Sequence, residues 1–321
     1  MRAVQVTSLD GPAAVELVEM PEPEPAEGKV LIEVKAAGAN FPDVLLTRGL
    51  YQMRPKLPFV PGSEVAGTVK AAREATGLKP GDRVAAFPVL GGFAEVVAAD
   101  EWGVFPLPGA VSFEAGAALL MNYLTVHFAL VRRGRLQPEE TVLVHGAAGG
   151  IGTATIQLAK ALGARVIAVT STTEKEQVAR EAGADEVVGV EGFKEAVKEL
   201  TGGEGVDIVI DPVGGERFTD SLRSLRPEGR LLVIGFTAGE IPTVKVNRLL
   251  LNNIDVVGVG WGAFWMRRPE FLRQQWEEVA PLLSAGVLSP PIGASFPLER
   301  VSEALATIEE RRVLGKVVLL P

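Results

Sequence analysis

The spacing of apolar positions changes partway along this chain, near residue 112. Upstream, short apolar and β-branched runs at Met1 to Ser8, Ala14 to Val18, Lys29 to Ala37, Gly67 to Ala71, Arg83 to Phe87 and Ala94 to Ala98 predict strands. They are parted by Pro- and Gly-containing turns such as Gly81-Asp82. PEPEP, Pro21 to Pro25, is expected to be an exposed spacer, and Phe41 to Leu50 a helix with Pro42 and Asp43 in its first turn. From Ser112 a helix period runs through Val131, and short β-rich runs then alternate with helical ones. The β-rich runs are Thr141 to Val144, Ala164 to Thr170, Glu186 to Val190, Val206 to Ile210, Arg230 to Ile234 and Ile254 to Val259. That alternation predicts an α/β unit built on a doubly wound parallel sheet. An amphipathic helix (Pro269 to Ala285), the Pro290-Pro291 turn, a helix (Leu298 to Arg311) and a strand (Gly315 to Leu320) follow. The last strand is expected to rejoin the β-rich unit. The organisation predicted is 1–122 with 262–321 as one domain and 123–261 inserted as the other.

The most informative stretch is Thr141 to Lys160, TVLVHGAAGGIGTATIQLAK. A strand, a glycine turn and a helix follow one another in the order that a dinucleotide fold requires. The backbone of Gly146, Ala147, Ala148, Gly149, Gly150, Ile151 and Gly152 is expected to approach a pyrophosphate, with the free N–H groups of the next helix facing its charge. A glycine turn alone is a weak signal, since close helix packing on a strand uses the same residues. Here Gly163 stands where a helix C-cap belongs, and a second β-branched run follows at the spacing of one βαβ unit.

Length and composition narrow the chemistry. The 321 residues are about right for two domains. With 47% hydrophobic and 22% charged residues and no apolar run of membrane-spanning character, a soluble enzyme is expected. No basic region followed by an apolar stretch opens the chain, so a cytoplasmic location is the expectation. There is no cysteine, which removes disulfides, thiol nucleophiles and thiolate zinc sites, and His127 and His145 are the only histidines. No metal site is expected. A net charge of −8 argues against nucleic acid as a partner.

The end of the second β-branched run discriminates between nicotinamides. A carboxylate about 20 residues past the glycine turn accepts from the ribose of NAD. This chain has Thr170, Ser171, Thr172 and Thr173 there, hydroxyls that can donate to a 2′-phosphate, and Lys175 just beyond. Glu174 is expected to point to solvent. NADPH is therefore the expected cofactor. Gly235, Phe236, Val259 and Gly260 end two strands on the carboxyl edge of the sheet, where their backbone is expected to frame the nicotinamide ring.

The stretches ANFPDVLLTRGLY (Ala39 to Tyr51), VPGSEVAGTV (Val60 to Val69), VLVHGAAGGIG with IQLAKALGA (Val142 to Ala164), GVDIVIDPVGG (Gly205 to Gly215) and GKVVL (Gly315 to Leu319) carry a resemblance over essentially the whole chain. It resembles the zinc-independent quinone oxidoreductase, or zeta-crystallin-like, branch of the medium-chain dehydrogenase/reductase superfamily. The resemblance implies a Rossmann domain beside a GroES-like, mostly β catalytic domain, a homodimer, and reduction of an activated double bond. It places Asn40 beside nicotinamide and substrate, the hydroxyl of Thr125 at the cofactor, Lys175 on the phosphate and a late arginine, Arg311 or Arg312, near the adenosine end; Lys316 is counted with these cofactor positions. The tyrosine that some relatives use near the phosphate is Val190 here. In zinc-dependent members the PGSE stretch carries a histidine where this chain has Ser63, which removes the Lewis acid that alcohol oxidation uses.

At the reacting end the expected catalytic residues are Asn40, as a neutral amide donor, and Tyr51, whose phenol can donate to a substrate carbonyl. Each has a plainer alternative, an Asx-turn or helix cap for Asn40 and boundary packing for Tyr51. His127 and His145 read as structural, and Glu64 as a buried carboxylate within a hydrogen-bonded network. The expected function is NADPH-dependent, zinc-independent hydride transfer to a quinone or other conjugated carbonyl. Enoyl-thioester reduction and a non-catalytic NADPH-binding role are the alternatives.

Overall fold

A computed structural model describes all residues 1–321. In chain order, the first strands are β1 (Arg2–Val6), β2 (Val15–Glu19) and β3 (Lys29–Ala39), and helix α1 (Phe41–Thr47) follows. Next come β4 (Glu64–Ala71), β5 (Arg83–Ala86), β6 (Val96–Asp100) and β7 (Val104–Pro106), and then helices α2 (Phe113–Gly116) and α3 (Leu120–His127). The alternating part contains β8 (Thr141–Val144), α4 (Gly150–Ala161), β9 (Arg165–Thr170), α5 (Thr173–Glu181), β10 (Glu186–Gly189) and α6 (Phe193–Leu200). It continues with β11 (Val206–Asp211), α7 (Phe218–Arg223), β12 (Leu225–Val233), α8 (Asn247–Asn252), β13 (Asp255–Gly258) and α9 (Trp261–Trp265). The chain closes with α10 (Glu270–Ser284), β14 (Ile292–Pro297), α11 (Val301–Glu309) and β15 (Lys316–Leu320). It divides into two compact units, Met1–Leu124 with Arg268–Pro321, and Thr125–Arg267.

In the first unit a sheet runs β14-β15-β3-β4-β5-β7, with β6 also paired to β3 and β1-β2 forming a separate hairpin. β3 is buried along most of its length because it has partners on both edges. The last strand lies antiparallel to it, with Val317 opposite Ala39 and Leu319 opposite Ala37. Val301, Ala304 and Leu305 of α11, spaced on one helical face, pack into the same core as Val317 and Leu319. Full burial of a leucine or valine side chain contributes about 1.5–3 kcal/mol. The terminal segment is therefore part of the core of this unit.

In the second unit all six strands are parallel, in the order β10-β9-β8-β11-β12-β13. β8 sits centrally, with its chain successor β9 on one side and β11 on the other. The order reverses between β8 and β11, and in such sheets the crevice beyond the carboxyl ends at that point is where ligands bind. Buried Leu143, Ile167, Val169, Val209 and Leu231 supply one face of its core.

Several details differ from the pattern in the sequence. The long helix expected from Ser112 to Val131 is three pieces: α2, α3 and a π-helical turn at Phe128–Arg133. Gly116 ends the first piece where a Cβ would come within 2.8 Å of Leu107 and 2.9 Å of Ala66, so the chain is pressed against the sheet. β7, three residues long, and β14, whose exposure alternates along an edge, gave no strand signal. The last helix opens as a 3-10 turn, Leu298–Arg300, before α11.

Candidate active site

The turn after β8 has the shape its glycines require. Gly146 has φ +60°, a left-handed conformation that a side chain disfavours. A Cβ on Gly152 would stand 2.3 Å from Gly146 O and 2.5 Å from Ala147 Cα, so the helix begins against the turn itself. Gly149 is the N-cap of α4 and carries no side-chain cap, and the first amides of a helix have no acceptor inside it. These amides suit an anion, and a dinucleotide pyrophosphate fits the bare backbone of the turn.

At the carboxyl end of β9 the hydroxyl-rich segment is gathered in one place. Thr170 is buried, and Thr172 caps α5 by accepting from Lys175 N at 3.3 Å. Lys175 Nζ donates to Ser171 Oγ at 3.3 Å. Glu174 is exposed, and its carboxyl is held below the usual range by the Thr172 hydroxyl and its own backbone N–H. Gly235 and Phe236 follow β12, and Val259 and Gly260 follow β13, with Val259 N donating to Val233 O at 2.9 Å. These residues share the carboxyl edge of one sheet with the glycine turn. Thr125, buried in α3, opens this unit.

Two buried polar groups stand at the same switch point. His145 Nε2 lies 2.8 Å from Ser221 Oγ, and that hydroxyl donates onward to Arg217 O at 3.0 Å. In the tautomer that keeps the serine hydrogen on Arg217 O, the imidazole carries its proton on Nε2 and Nδ1 is an acceptor. Nδ1 has no hydrogen-bond partner. Burial, aided by the nearby Arg217 charge, pushes the His145 pKa down to about 3, so the ring is neutral. Asp211 Oδ1 accepts from Val213 N and Gly214 N, both at 2.9 Å, and Oδ2 has no partner. Burial raises the Asp211 carboxyl against those two bonds.

The first unit holds a different cluster. Asn40 is the N-cap of α1, and its N–H donates to Asp43 Oδ2 at 2.8 Å, as in a capping box. Its carboxamide Nδ2 donates to Glu64 Oε1 at 2.9 Å and, more distantly, to Gly38 O at 3.3 Å. Lys316 Nζ donates to Asn40 Oδ1 at 2.6 Å and to Glu64 Oε1 at 2.8 Å. Glu64 Oε2 accepts from Met121 N at 2.9 Å. Glu64, Lys316 and Asn40 are only 0%, 4% and 6% exposed, so this is a buried ion pair whose remaining valences are occupied. The Asn40 amide, expected as a free donor, is thus largely engaged inward.

Asp43 completes the cluster, and the sequence marked it only as a first-turn acid. Its Oδ1 accepts from Gly62 N at 3.2 Å, and complete burial pushes its pKa up to about 7 in spite of these bonds and of Lys316. The spacing Asn40 to Asp43 is the signal that reveals it, since an acid three residues past an N-cap reaches back to the cap. Tyr51 packs beside Phe59 and Leu46 in a small cluster. Its phenol pKa is raised by burial and then by the Asp43 charge, which keeps it a proton-bearing donor near neutral pH.

The remaining expected cofactor residues lie in the first unit. Arg311 takes a left-handed φ of +58°, and Arg312 Nε pairs with Glu310 Oε2 at 2.6 Å on the surface. Lys316 is the clearest difference. Counted with the cofactor residues from the sequence, it instead has its ammonium buried between Glu64 and Asn40, because it is the first residue of a strand that lies beside β3. No three His, Cys, Asp or Glu side chains come together as metal ligands, and both histidines are buried.

A family model described as "Zinc-binding dehydrogenase" matches residues 150–285. A second, described as "Alcohol dehydrogenase GroES-like domain", matches residues 26–109. Quinone oxidoreductase-like protein 2 of Bos taurus is 39% identical over 322 residues, covering 99% of this chain and 92% of its own length. Human quinone oxidoreductase is 33% identical over 332 residues, covering 100% of this chain and 98% of its own length. The crystal structure of Escherichia coli quinone oxidoreductase complexed with NADPH superposes with a TM-score of 0.92 at 32% identity, over 100% of both chains. A Rossmann sheet, a GroES-like unit and end-to-end relatives agree: the chain is an oxidoreductase and belongs to the quinone oxidoreductase-like branch of the medium-chain dehydrogenase/reductase superfamily.

Proposed function

We propose that this chain uses NADPH to reduce a quinone or another conjugated carbonyl compound, without a zinc ion. The observation that carries the reading is the carboxyl end of β9, where hydroxyls and Lys175 stand in place of the carboxylate that would accept from a free 2′-OH. The E. coli relative described above holds NADPH in a fold of the same topology. In this reading the glycine turn from Gly146 to Gly152 holds the pyrophosphate, Ser171, Thr172 and Lys175 hold the 2′-phosphate, and Gly235, Phe236, Val259 and Gly260 frame the nicotinamide. The second unit, read as 123–261, is the cofactor domain, and 1–122 with 262–321 the catalytic one.

When bound, the nicotinamide supplies the hydride. The protein's part is to position it and to donate hydrogen bonds to the oxygen on which negative charge develops. Tyr51, with its raised pKa, and Asn40 are assigned to that oxygen. Zinc independence is supported by the donor set, since the chain has no cysteine, its two histidines are buried in the second unit, and Ser63 precedes Glu64. A homodimer is supported by β13, an edge strand that pairing with a second copy would cover, and by the exposed apolar side chains Ile241, Val246, Leu250 and Leu251 in the same unit. The test is NADPH oxidation followed by absorbance with and without 9,10-phenanthrenequinone, with an enone and an enoyl thioester in parallel. Quinone- or enone-dependent oxidation supports the reading; thioester-only turnover moves the substrate class, and NADPH binding without turnover of any of the three removes the proposed substrate classes.

A further inference from the structure

The chemistry of the buried cluster in the first unit leaves the Asn40 carboxamide no freedom. An ammonium can only donate and an ionised carboxylate can only accept. With Lys316 on one side and Glu64 on the other, one flip of the amide satisfies both contacts, oxygen toward Lys316 at 2.6 Å and nitrogen toward Glu64 at 2.9 Å. The opposite flip would set donor against donor and acceptor against acceptor inside a site almost closed to water. The second Nδ2 hydrogen is left with its 3.3 Å contact to Gly38 O, longer than an ordinary N–H···O bond. It is the more weakly held of the two amide hydrogens, and with the amide plane fixed only its acceptor can change.

We propose that Lys316 and Glu64 are positioning residues that lock the flip of the Asn40 carboxamide, so that its weakly held Nδ2 hydrogen is presented as a donor to the substrate oxygen. Lys316 is delivered to this task by local geometry far along the chain. Its own N–H donates to Pro291 O at 2.8 Å, and the residue before it, Gly315, has φ +82° with space so tight that a Cβ would meet Pro291 O at 2.3 Å. The strand it opens lies beside β3, with the next residue, Val317, opposite Ala39, the neighbour of Asn40. Met121 N, on the far oxygen of Glu64, holds the carboxylate at its other end. The assignment rests on Asn40 standing at the reacting end, as in the function proposed above.

The test uses the neutral, nearly isosteric pair Glu64→Gln/Lys316→Met, which avoids leaving a single buried charge. Glu64→Gln keeps an oxygen for Met121 N and turns an NH2 group toward Asn40, which inverts the pattern that fixes the flip. Two readouts are taken on the full chain. The Asn40 side-chain NH2 resonances, assigned by their loss in Asn40→Ala, are expected to exchange with water at least roughly tenfold faster in the pair than in wild type, the factor that about 1.4 kcal/mol of lost hydrogen bonding gives. With NADPH and 9,10-phenanthrenequinone, kcat is expected to fall about 10- to 100-fold with the NADPH Kd changed less than about threefold. Adding Asn40→Ala to the pair should then change kcat less than about twofold, although the same substitution in wild type reproduces the loss. Unchanged NH2 exchange, or losses from Asn40→Ala and from the pair that simply multiply, overturns the lock. A locked amide in a wild-type chain that turns over no quinone or enone leaves the lock standing and overturns the functional reading instead.

Discussion

Two buried polar clusters, one in each unit, solve the cost of burial in opposite ways. Around Asn40 the chain keeps a full ion pair, Lys316 with Glu64, and surrounds it with hydrogen bonds until the cluster is nearly saturated. Around His145 it keeps no charge on the ring and saturates only half of it, leaving His145 Nδ1 and Asp211 Oδ2 without partners. The saturated cluster has one geometry available to it. The unsaturated one holds two buried polar atoms without partners at the switch point of the sheet, where proteins of this fold class bind nucleotide. Positioning is what the first can contribute, and spare bonding capacity is what the second retains.

The largest expected effect comes from breaking the saturated side. Lys316→Met strands Glu64 as a buried charge and is expected to cost about 3–5 kcal/mol of unfolding free energy, read as a shift in urea midpoint. Glu64→Gln/Lys316→Met should recover most of it. If the single and the double variant are equally destabilised, the ion pair is not what the cluster depends on.

Next in size is the response to pH, where the two clusters should move in opposite directions. Folded His145 titrates near pH 3 and its unfolded form near 6.5, so its contribution is full above 6.5 and is lost as the pH falls toward 3. Folded Asp43 titrates near pH 7 and its unfolded form near 3.8, so its contribution is full below 3.8 and is lost as the pH rises through 7. One unit of pH inside either window corresponds to about 1.4 kcal/mol. Going from about pH 6.5 to about pH 5, slow-exchanging amides of β8 and β11 should lose about 2 kcal/mol of opening free energy, and those of β3 and β4 should gain a similar amount. His145→Asn should flatten only the first trend and Asp43→Asn only the second. Hydrogen exchange corrected for intrinsic rates measures both, and trends of the same sign in the two units would contradict the contrast.

An effect of similar size tests the half-saturated ring. Ser221→Ala removes the partner of His145 Nε2 and should cost about 1–3 kcal/mol, the range for stranding one buried donor, with no change in the protection of β3 or β4.

How far the sequence reveals these clusters depends on the range of the contacts. The glycine turn is local, so strand, turn and helix are readable from Thr141 to Ala161, and so is the hydroxyl-rich end of β9. The alternation of runs likewise gives the parallel sheet. β14 escapes because Gly293, Ala294 and Ser295 lack the β-branched side chains by which strands announce themselves, and the break after Gly116 is set by Leu107 and Ala66 pressing from elsewhere. The Asn40 cluster is the least legible part. Lys316 and Asn40 lie 276 positions apart and meet only because β15 returns to β3, so a lysine near the chain end is counted with the cofactor positions until the strand pairing is seen.

The central claim, that a 2′-phosphorylated nicotinamide is held at the end of β9, is tested most directly by calorimetric titration of the chain with NADPH and with NADH, repeated on Lys175→Ala. NADPH is expected to bind at least roughly tenfold more tightly, a difference of about 1.4 kcal/mol or more, and Lys175→Ala is expected to remove most of that preference while leaving NADH affinity within about twofold. Equal affinity for the two nucleotides in the wild-type chain would contradict the account.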